Sequence, residues 1–142
     1  METDMTHEDY VSFEQAKALK ELGFDWETLS CYLHVYEGEH GWRFRMLERL
    51  KSRNDPKDYT CLAAPTLAQA QKWLREIKGI DITIDHVYHR LDTGDKVMYG
   101  LHIGNQSTFK TEFYLNYDSY EEALSAGIDK ALELLKSENN GK

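Results

Sequence analysis

Three stretches of the chain place apolar residues at helical spacing, and each begins with a capping signal. In this signal a hydroxyl residue precedes Gln or Glu by three positions, so that the two side chains can bond to each other's backbone amides. The hydroxyl residues are Ser12, Thr66 and Ser119. The periodicity predicts helices over about 13–22, 67–78 and 120–136. The residues predicted to be buried in the second helix are Leu67, Ala70, Leu74 and Ile77.

Glycines mark the ends and one face of these helices. Gly23 is predicted to end the first helix in the left-handed conformation that glycine tolerates best, and Gly79 is predicted to end the second helix. In the third helix, Ala123, Gly127 and Ala131 recur every four residues. This strip of small side chains is predicted to let a sheet or another helix pack closely, which would offset the low helix propensity of Gly127.

Between the helices, apolar residues recur at every second position, which is the period of a strand. Residues 30–36 and 42–47 alternate in this way and predict two half-buried strands joined by a glycine-containing loop. Three further alternating stretches follow the second helix, at about 80–85, 97–103 and 109–117. Short connections between consecutive strands predict antiparallel pairing.

The predicted fold is α+β, with the order α-β-β-α-β-β-β-α. A mainly antiparallel sheet of about five strands is expected to pack with three helices. A chain of 142 residues is long enough to bury its own core, so one domain over 1–142 is expected. Residues 1–10 are expected to be flexible, 51–60 to form a mobile loop because they are polar and contain proline, and 137–142 to be a disordered tail.

Composition places the chain among ordinary globular proteins, with 41% hydrophobic and 30% charged residues. No apolar run approaches the roughly 18 residues needed to span a bilayer, and the first residues lack the pattern of a secretory signal. A cytoplasmic protein without a membrane partner is therefore expected. Cys31 and Cys61 are predicted to be reduced thiols among apolar neighbours, because two cysteines form no disulfide framework.

The net charge of −8 is unevenly distributed along the chain. Residues 1–39 carry ten acidic and two basic side chains, whereas residues 40–58 carry six basic and three acidic ones. An acidic protein repels phosphate backbones as a whole, which disfavours nucleic acid as a partner. The basic segment could still form a local anion site, although a solvated basic face is the simpler interpretation.

The stretch HVYEGEH, residues 34–40, has the residue types of a metal site. A zinc site needs three or four converging ligands. On a strand, however, His34 and Glu37 would point to opposite faces, because their separation is odd. A hairpin turn is therefore the favoured interpretation, a metal site around His34 and His40 is an alternative, and no cofactor is predicted.

The sequence has no signature of a known catalytic centre. It contains no glycine-rich phosphate loop, no nucleophile elbow and no C-x-x-C motif. The pair His86 and His89 would lie on opposite faces of a strand, because three positions separate them. No catalytic residue is predicted, and a protein without enzymatic activity is favoured.

The outer face of the first hairpin is the predicted binding surface. Tyr32, His34 and Tyr36 alternate on one strand, and Arg43 and Arg45 on the next strand are predicted to share their side. Aromatic rings offer stacking faces, and arginine pairs with carboxylates, phosphates or rings. This face is predicted to contact an acidic protein or a single-stranded nucleic acid, with ordinary cross-strand packing as the simpler alternative.

A resemblance to known proteins rests on three stretches, YVSFEQAKALKELGF, APTLAQAQKWLREIKGI and DSYEEALSAGIDKALELL. Together they resemble small uncharacterised phage and prophage proteins of gut bacteria, similar in style to the phage alpha-beta-alpha sandwich domain. The resemblance implies a compact α+β sandwich and an accessory role for a phage or mobile element. It implies no catalytic residues.

A second resemblance concerns residues 66–136, whose α-β-β-β-α order is similar to that of a double-stranded RNA-binding domain. That family binds phosphates through lysines at the start of the last helix, where this chain has Glu121 and Glu122. Their negative charge would repel the RNA backbone. The shared order therefore does not predict binding to duplex RNA.

The sequence predicts a small, non-enzymatic cytoplasmic accessory protein that acts through contacts with another protein. Two alternatives remain. One is a nucleic-acid-binding module that uses the tyrosines and arginines of the first hairpin, and the other is a metal-binding protein around His34 and His40.

Overall fold

The computed structural model describes residues 9–35, 41–46, 53–55, 57 and 60–140. Within them the element order is α-β-β-β-α-β-β-β-α. The helices are α1 (Phe13–Glu21), α2 (Leu67–Lys78) and α3 (Tyr120–Asn140). The strands are β1 (Ser30–Val35), β2 (Gly41–Met46), β3 (Cys61–Ala63), β4 (Ile80–His89), β5 (Lys96–Asn105) and β6 (Lys110–Tyr117).

The predicted α+β class and antiparallel pairing are confirmed, but the single sheet of about five strands is wrong. The described strands form two three-stranded antiparallel sheets, in the orders β2-β1-β3 and β4-β5-β6. The strand missing from the predicted order is β3, which has only three residues. So short a stretch shows no alternation, and only its pairing with β1 defines it as a strand.

The chain divides into two compact units. The N-terminal unit is Met1–Thr66 and contains the first sheet, and the C-terminal unit is Leu67–Lys142 and contains the second. The expectation of one domain over 1–142 therefore stays a prediction.

Helix α1 begins and ends as its sequence predicts. The Ser12 amide donates to Gln15 Oε1 at 2.8 Å, and the Gln15 amide donates back to Ser12 Oγ at 3.2 Å. After the helix, Gly23 adopts a φ of +95°. This left-handed residue lets the Phe24 amide donate to the Leu19 carbonyl at 2.9 Å, which satisfies an end carbonyl of the helix.

The segment before α1 packs in the core of the N-terminal unit. Tyr10 is 7% exposed and forms a bridge with Thr66, and the Val11 amide donates to the Pro65 carbonyl at 3.1 Å. The expected flexible segment 1–10 therefore does not include Tyr10, because burial of its ring holds it in place. Residues 1–8 lie outside the described residues.

In the C-terminal unit, α2 and α3 pack against the second sheet. The Gln71 side chain in α2 donates to the Ile82 carbonyl at 2.7 Å. In α3, Gly127 lies directly over the sheet, and a methyl group there would lie 2.7 Å from both Ile82 Cγ2 and Leu101 Cδ1. The close approach predicted for the small-residue strip is therefore confirmed, since no larger residue fits without displacing these two side chains.

Two expectations for the helices of the C-terminal unit are wrong. Ile77 is 57% exposed although its spacing places it with buried residues, and Trp73 is buried instead, at 1%. Periodicity gives the direction of a side chain, but it does not show whether another element covers the last turn. Helix α3 continues to Asn140, although a disordered tail was expected from 137, because residues 137–140 contain neither glycine nor proline.

None of the helices formed by the described residues is long and apolar enough to cross a membrane. The expectations of a cytoplasmic location and of no membrane partner both stay predictions.

Substitution of Gly127 tests the close packing of α3 on the second sheet. We expect Gly127→Val to lower the free energy of unfolding by about 1 to 3 kcal/mol, because the added methyl groups overlap Ile82 and Leu101. Urea denaturation measures this change. The matched control is Glu133→Val, at an exposed position of the same helix, which should change stability by no more than about 0.5 kcal/mol. Equal effects of the two substitutions would contradict the packing.

Candidate binding site

The predicted binding face of the first hairpin is divided between the two sides of the sheet. Strand pairing places Tyr32 opposite Phe44 and Leu33 opposite Arg43. Residues directly opposite each other share a face of the sheet. Tyr32 and His34 therefore lie on one face, and Arg43 and Arg45 lie on the other. The prediction of one shared face is wrong.

The length of the connection between β1 and β2 explains this result. Val35 pairs with Gly41, so five residues separate the paired ends. With an odd number between them, even-numbered positions pair with even-numbered ones, and Tyr32 meets Phe44 instead of an arginine. A connection with an even number would place Tyr32 beside the arginines. Alternation within each strand is compatible with either arrangement, because a slip of one residue reverses the faces.

Tyr32 belongs to the core of the N-terminal unit. Its side chain is 7% exposed, and its hydroxyl donates to the Val11 carbonyl at 2.7 Å. Burial raises the pKa of Tyr32 above its ordinary value, so the hydroxyl remains a neutral donor. The Phe13 ring packs edge-on at 5.9 Å between ring centroids. These contacts leave Tyr32 no free ring face for a ligand.

The other members of the predicted face have different surroundings. His34 is partly exposed and packs against the Trp42 ring at 5.2 Å between centroids. Arg43 and Arg45 are exposed on the opposite side of β2. Tyr36 lies outside the described residues. Of the residues in the nucleic-acid hypothesis, the two arginines are therefore exposed, whereas Tyr32 is buried and cannot contact a ligand. Binding itself stays a prediction.

The metal hypothesis concerns residues that are only partly described. His40 and Glu37 lie outside the described residues, as does the rest of the loop 36–40. Within the part of the chain that the structure describes, no group of three or more His, Cys, Asp or Glu side chains is placed to hold a metal ion. A metal site around His34 and His40 stays a prediction.

A cleft of about 530 Å³ in the N-terminal unit is the strongest candidate for a binding site. One wall is a stripe of α1 at positions 13, 17, 20 and 21, which share a face of the helix. Trp42 of β2 and Leu62 of β3 form the facing wall, since both lie on the side of the sheet occupied by Tyr32. Among the described residues, the lining consists of Phe13, Lys17, Lys20, Glu21, Gly23, Phe24, Asp25, Trp42, Asn54 and Leu62.

Aromatic rings dominate the interior of this cleft. The Phe13 and Trp42 rings are 5.2 Å apart between centroids and tilted by 32°. Phe24 is 1% exposed and packs at 6.2 Å from the Trp26 ring, which anchors it. These separations lie within the range in which aromatic pairs attract each other. The wall is therefore apolar and held in place.

Asn54 connects the two sides of the cleft. Its Nδ2 donates to the Phe24 carbonyl at 3.0 Å, and its Oδ1 accepts from the Ala63 amide at 2.9 Å. Beside it, Arg53 pairs with Glu27 at 3.4 Å. Residues 51–60 were expected to form a mobile loop, but Asn54 within them is fixed by two hydrogen bonds. These bonds tie the turn after α1 to strand β3.

The mouth of the cleft carries charges of both signs. Lys17 and Glu21 lie on α1, and Asp25 follows the helix. Lys20 donates to the Cys61 carbonyl at 3.4 Å. An apolar interior with a few polar groups around it is the usual character of ligand-binding pockets.

Sequence reasoning did not find this cleft, although it identified several of its elements. The predicted helix over 13–22 contains Phe13 and Lys17, and the predicted half-buried strand over 42–47 contains Trp42. The facing wall depends on β3, which has no pattern of its own, and on the register of β1 with β2. Neither feature is local in sequence.

An exposed aromatic residue in the C-terminal unit is the second unusual feature. Phe109, in the turn between β5 and β6, is 90% exposed and has a φ of +56°. Bulky residues rarely adopt this left-handed conformation, which costs about 1 to 3 kcal/mol for a residue other than glycine. The turn is held by Asn105, whose Oδ1 accepts from the Ser107 amide at 2.9 Å and whose carbonyl accepts from the Phe109 amide at 2.8 Å.

The Asn54 bonds predict a measurable contribution to stability. We expect Asn54→Ala to lower the free energy of unfolding by about 1 to 3 kcal/mol, because it leaves the Phe24 carbonyl and the Ala63 amide without this partner. Asp55→Ala is the matched control, since Asp55 makes an exposed bond to the Lys57 amide. If urea denaturation shows the same loss for both, Asn54 does not hold the cleft together.

The buried position of Tyr32 also predicts a difference between two members of the original binding face. Tyr32→Phe should lower the free energy of unfolding by about 1 to 2 kcal/mol, because the Val11 carbonyl loses a buried donor. Arg45→Ala, at an exposed position, should change it by no more than about 0.5 kcal/mol. Thermal denaturation followed by circular dichroism distinguishes these results, and a larger effect of Arg45→Ala would contradict the assigned faces.

Comparison with known proteins does not place the chain in a family. No family model matches it, nor does any curated protein or solved structure. What the chain does must therefore be inferred from its own geometry.

Proposed function

We propose that the chain is a non-enzymatic binding protein, which holds an aromatic side chain of a partner protein in the cleft beside α1. The observation that supports this proposal is the cleft itself, about 530 Å³ in volume and walled by Phe13, Phe24, Trp42 and Leu62. It agrees with the sequence-based prediction of a protein that acts through protein contacts. It differs in the surface used, which is the cleft and not the outer face of the hairpin.

The size and lining of the cleft suit an aromatic side chain. Pockets that bind small groups commonly measure about 300 to 1,000 Å³ and are lined mainly by apolar and aromatic residues. A ring that enters the cleft beside Phe13 and Trp42, which contact each other, could make edge or tilted contacts with them, each worth about 0.5 to 1.5 kcal/mol beyond the burial of its area. Aromatic residues that fill such pockets carry much of the energy of protein interfaces.

The charges at the mouth would orient the partner more than they would hold it. Lys17 on one turn of α1 and Glu21 on the next could pair with opposite charges beside the bound ring. Charge pairs at an exposed rim contribute little affinity, but they select the orientation of the partner and its rate of approach.

The biological setting of this function comes from the sequence alone. An accessory role for a phage or mobile element rests on the resemblance of the helical stretches, and it stays a prediction together with the cytoplasmic location.

A small aromatic amide tests the cleft directly. We expect N-acetyl-phenylalaninamide to shift the Trp42 indole N–H signal in NMR spectra, with a Kd on the order of 1 mM, as suits a ligand of this size. N-acetyl-alaninamide should cause no such shift, because it lacks the ring that enters the cleft.

Two tryptophan substitutions on α1 provide the matched pair for this experiment. Lys17→Trp places a large ring at an exposed position that lines the cleft and should prevent the shift. Glu14→Trp places the same ring on the same helix but outside the cleft, and binding should be retained. Equal shifts with the alanine amide, or binding that survives Lys17→Trp, would refute the proposal.

A further inference from the structure

Phe109 combines two features that are unfavourable for the isolated chain. Its ring is 90% exposed to water, and its backbone adopts a left-handed conformation that glycine would adopt without strain. At this exposure the ring contributes little to the packing of the fold. Such positions are typical of contact and functional sites, where the ring gains its partner on binding.

The turn that carries Phe109 is held in place on both sides. Gln106 donates from its backbone to the Gly79 carbonyl at 2.8 Å and from its side chain to Asp81 at 3.0 Å. The Asn105 side chain accepts from two further amides of the turn. Little conformational freedom of the backbone would therefore be lost when the ring enters a pocket, which favours binding.

We propose that Phe109 of one copy of the chain enters the aromatic cleft of a second copy. This inference rests on the proposed function and names the partner of the same site. The chemistry of the two surfaces matches, since an exposed phenyl ring meets a cleft walled by Phe13, Phe24 and Trp42.

Charge also supports this pairing of surfaces. Lys110 follows the ring directly and is exposed, and no ion pair involves it within the described residues. At the mouth of the cleft, Lys20 is occupied by the Cys61 carbonyl and Lys17 lies one turn earlier on α1, which leaves Glu21 and Asp25 at the end of the helix to receive a lysine that accompanies the ring.

The contact joins two different surfaces, one on each unit. If each copy inserts its Phe109 into the cleft of the other, the two copies form a closed dimer. If each copy instead inserts its Phe109 into the next copy along, a cyclic oligomer or a filament forms. Because one aromatic side chain is the main anchor, the association should be weak, with a Kd on the order of 0.1 to 1 mM.

Sedimentation velocity of the full chain tests this inference over concentrations from about 0.01 to 1 mM, a range that spans the expected Kd. We expect the weight-average sedimentation coefficient of the wild-type chain to rise with concentration. Phe109→Gly should remain monomeric over this range, with at least a tenfold loss of association. Its melting temperature should be equal or higher, because glycine removes the backbone strain, and this result would exclude a folding defect.

Two further variants make the result specific. Lys17→Trp, which fills the cleft, should abolish association in the same way, although it lies in the other unit. Tyr88→Ala is the matched control, since Tyr88 is another aromatic residue of the C-terminal unit with 78% exposure, and its association should match that of the wild type. Association that survives Phe109→Gly would overturn the inference.

The two proposals can fail separately. If the wild-type chain is monomeric at 1 mM while N-acetyl-phenylalaninamide still shifts the Trp42 signal, the cleft binds an aromatic group but a second copy does not supply it. If neither the amide nor a second copy binds, both proposals are wrong.

Discussion

The register of β1 against β2 is the constraint on which the N-terminal unit depends. By pairing Tyr32 with Phe44, it turns one aromatic face of the sheet toward α1 and leaves Arg43 on the other side. The Tyr32 hydroxyl then reaches the Val11 carbonyl, and Trp42 comes to face Phe13. A slip of one residue would remove both contacts and the wall of the cleft with them.

The cleft and the exposed ring differ in how they are maintained. The cleft persists because Asn54 ties the turn after α1 to β3 and because its aromatic residues pack on one another. Phe109 persists in its strained conformation because the bonds of Asn105 and the pairing of β5 with β6 outweigh the cost of one left-handed residue. A stable scaffold therefore supports a local feature that is unfavourable by itself, and this combination is the basis of the binding role proposed for Phe109.

Much of the local structure could be predicted, whereas the candidate site could not. The capping signal at Ser12 and the glycine at 23 locate α1, and the close packing at Gly127 follows from its spacing. Residues 36–40 of the stretch HVYEGEH connect two strands that pair as a hairpin, as the alternation on either side predicts. The cleft needs β3, which is three residues long and is recognised only beside β1.

The sequence by itself determined where helices and longer strands form, because capping, glycine conformation and apolar spacing act over a few neighbouring residues. Only the tertiary structure decided which strand faces meet and which side chains remain accessible. Tyr32 is buried and Ile77 is exposed, in both cases against the pattern of their own segments. The exposure of a side chain depends on elements that are distant in the chain. Alternation alone does not show which of these elements packs against a given face.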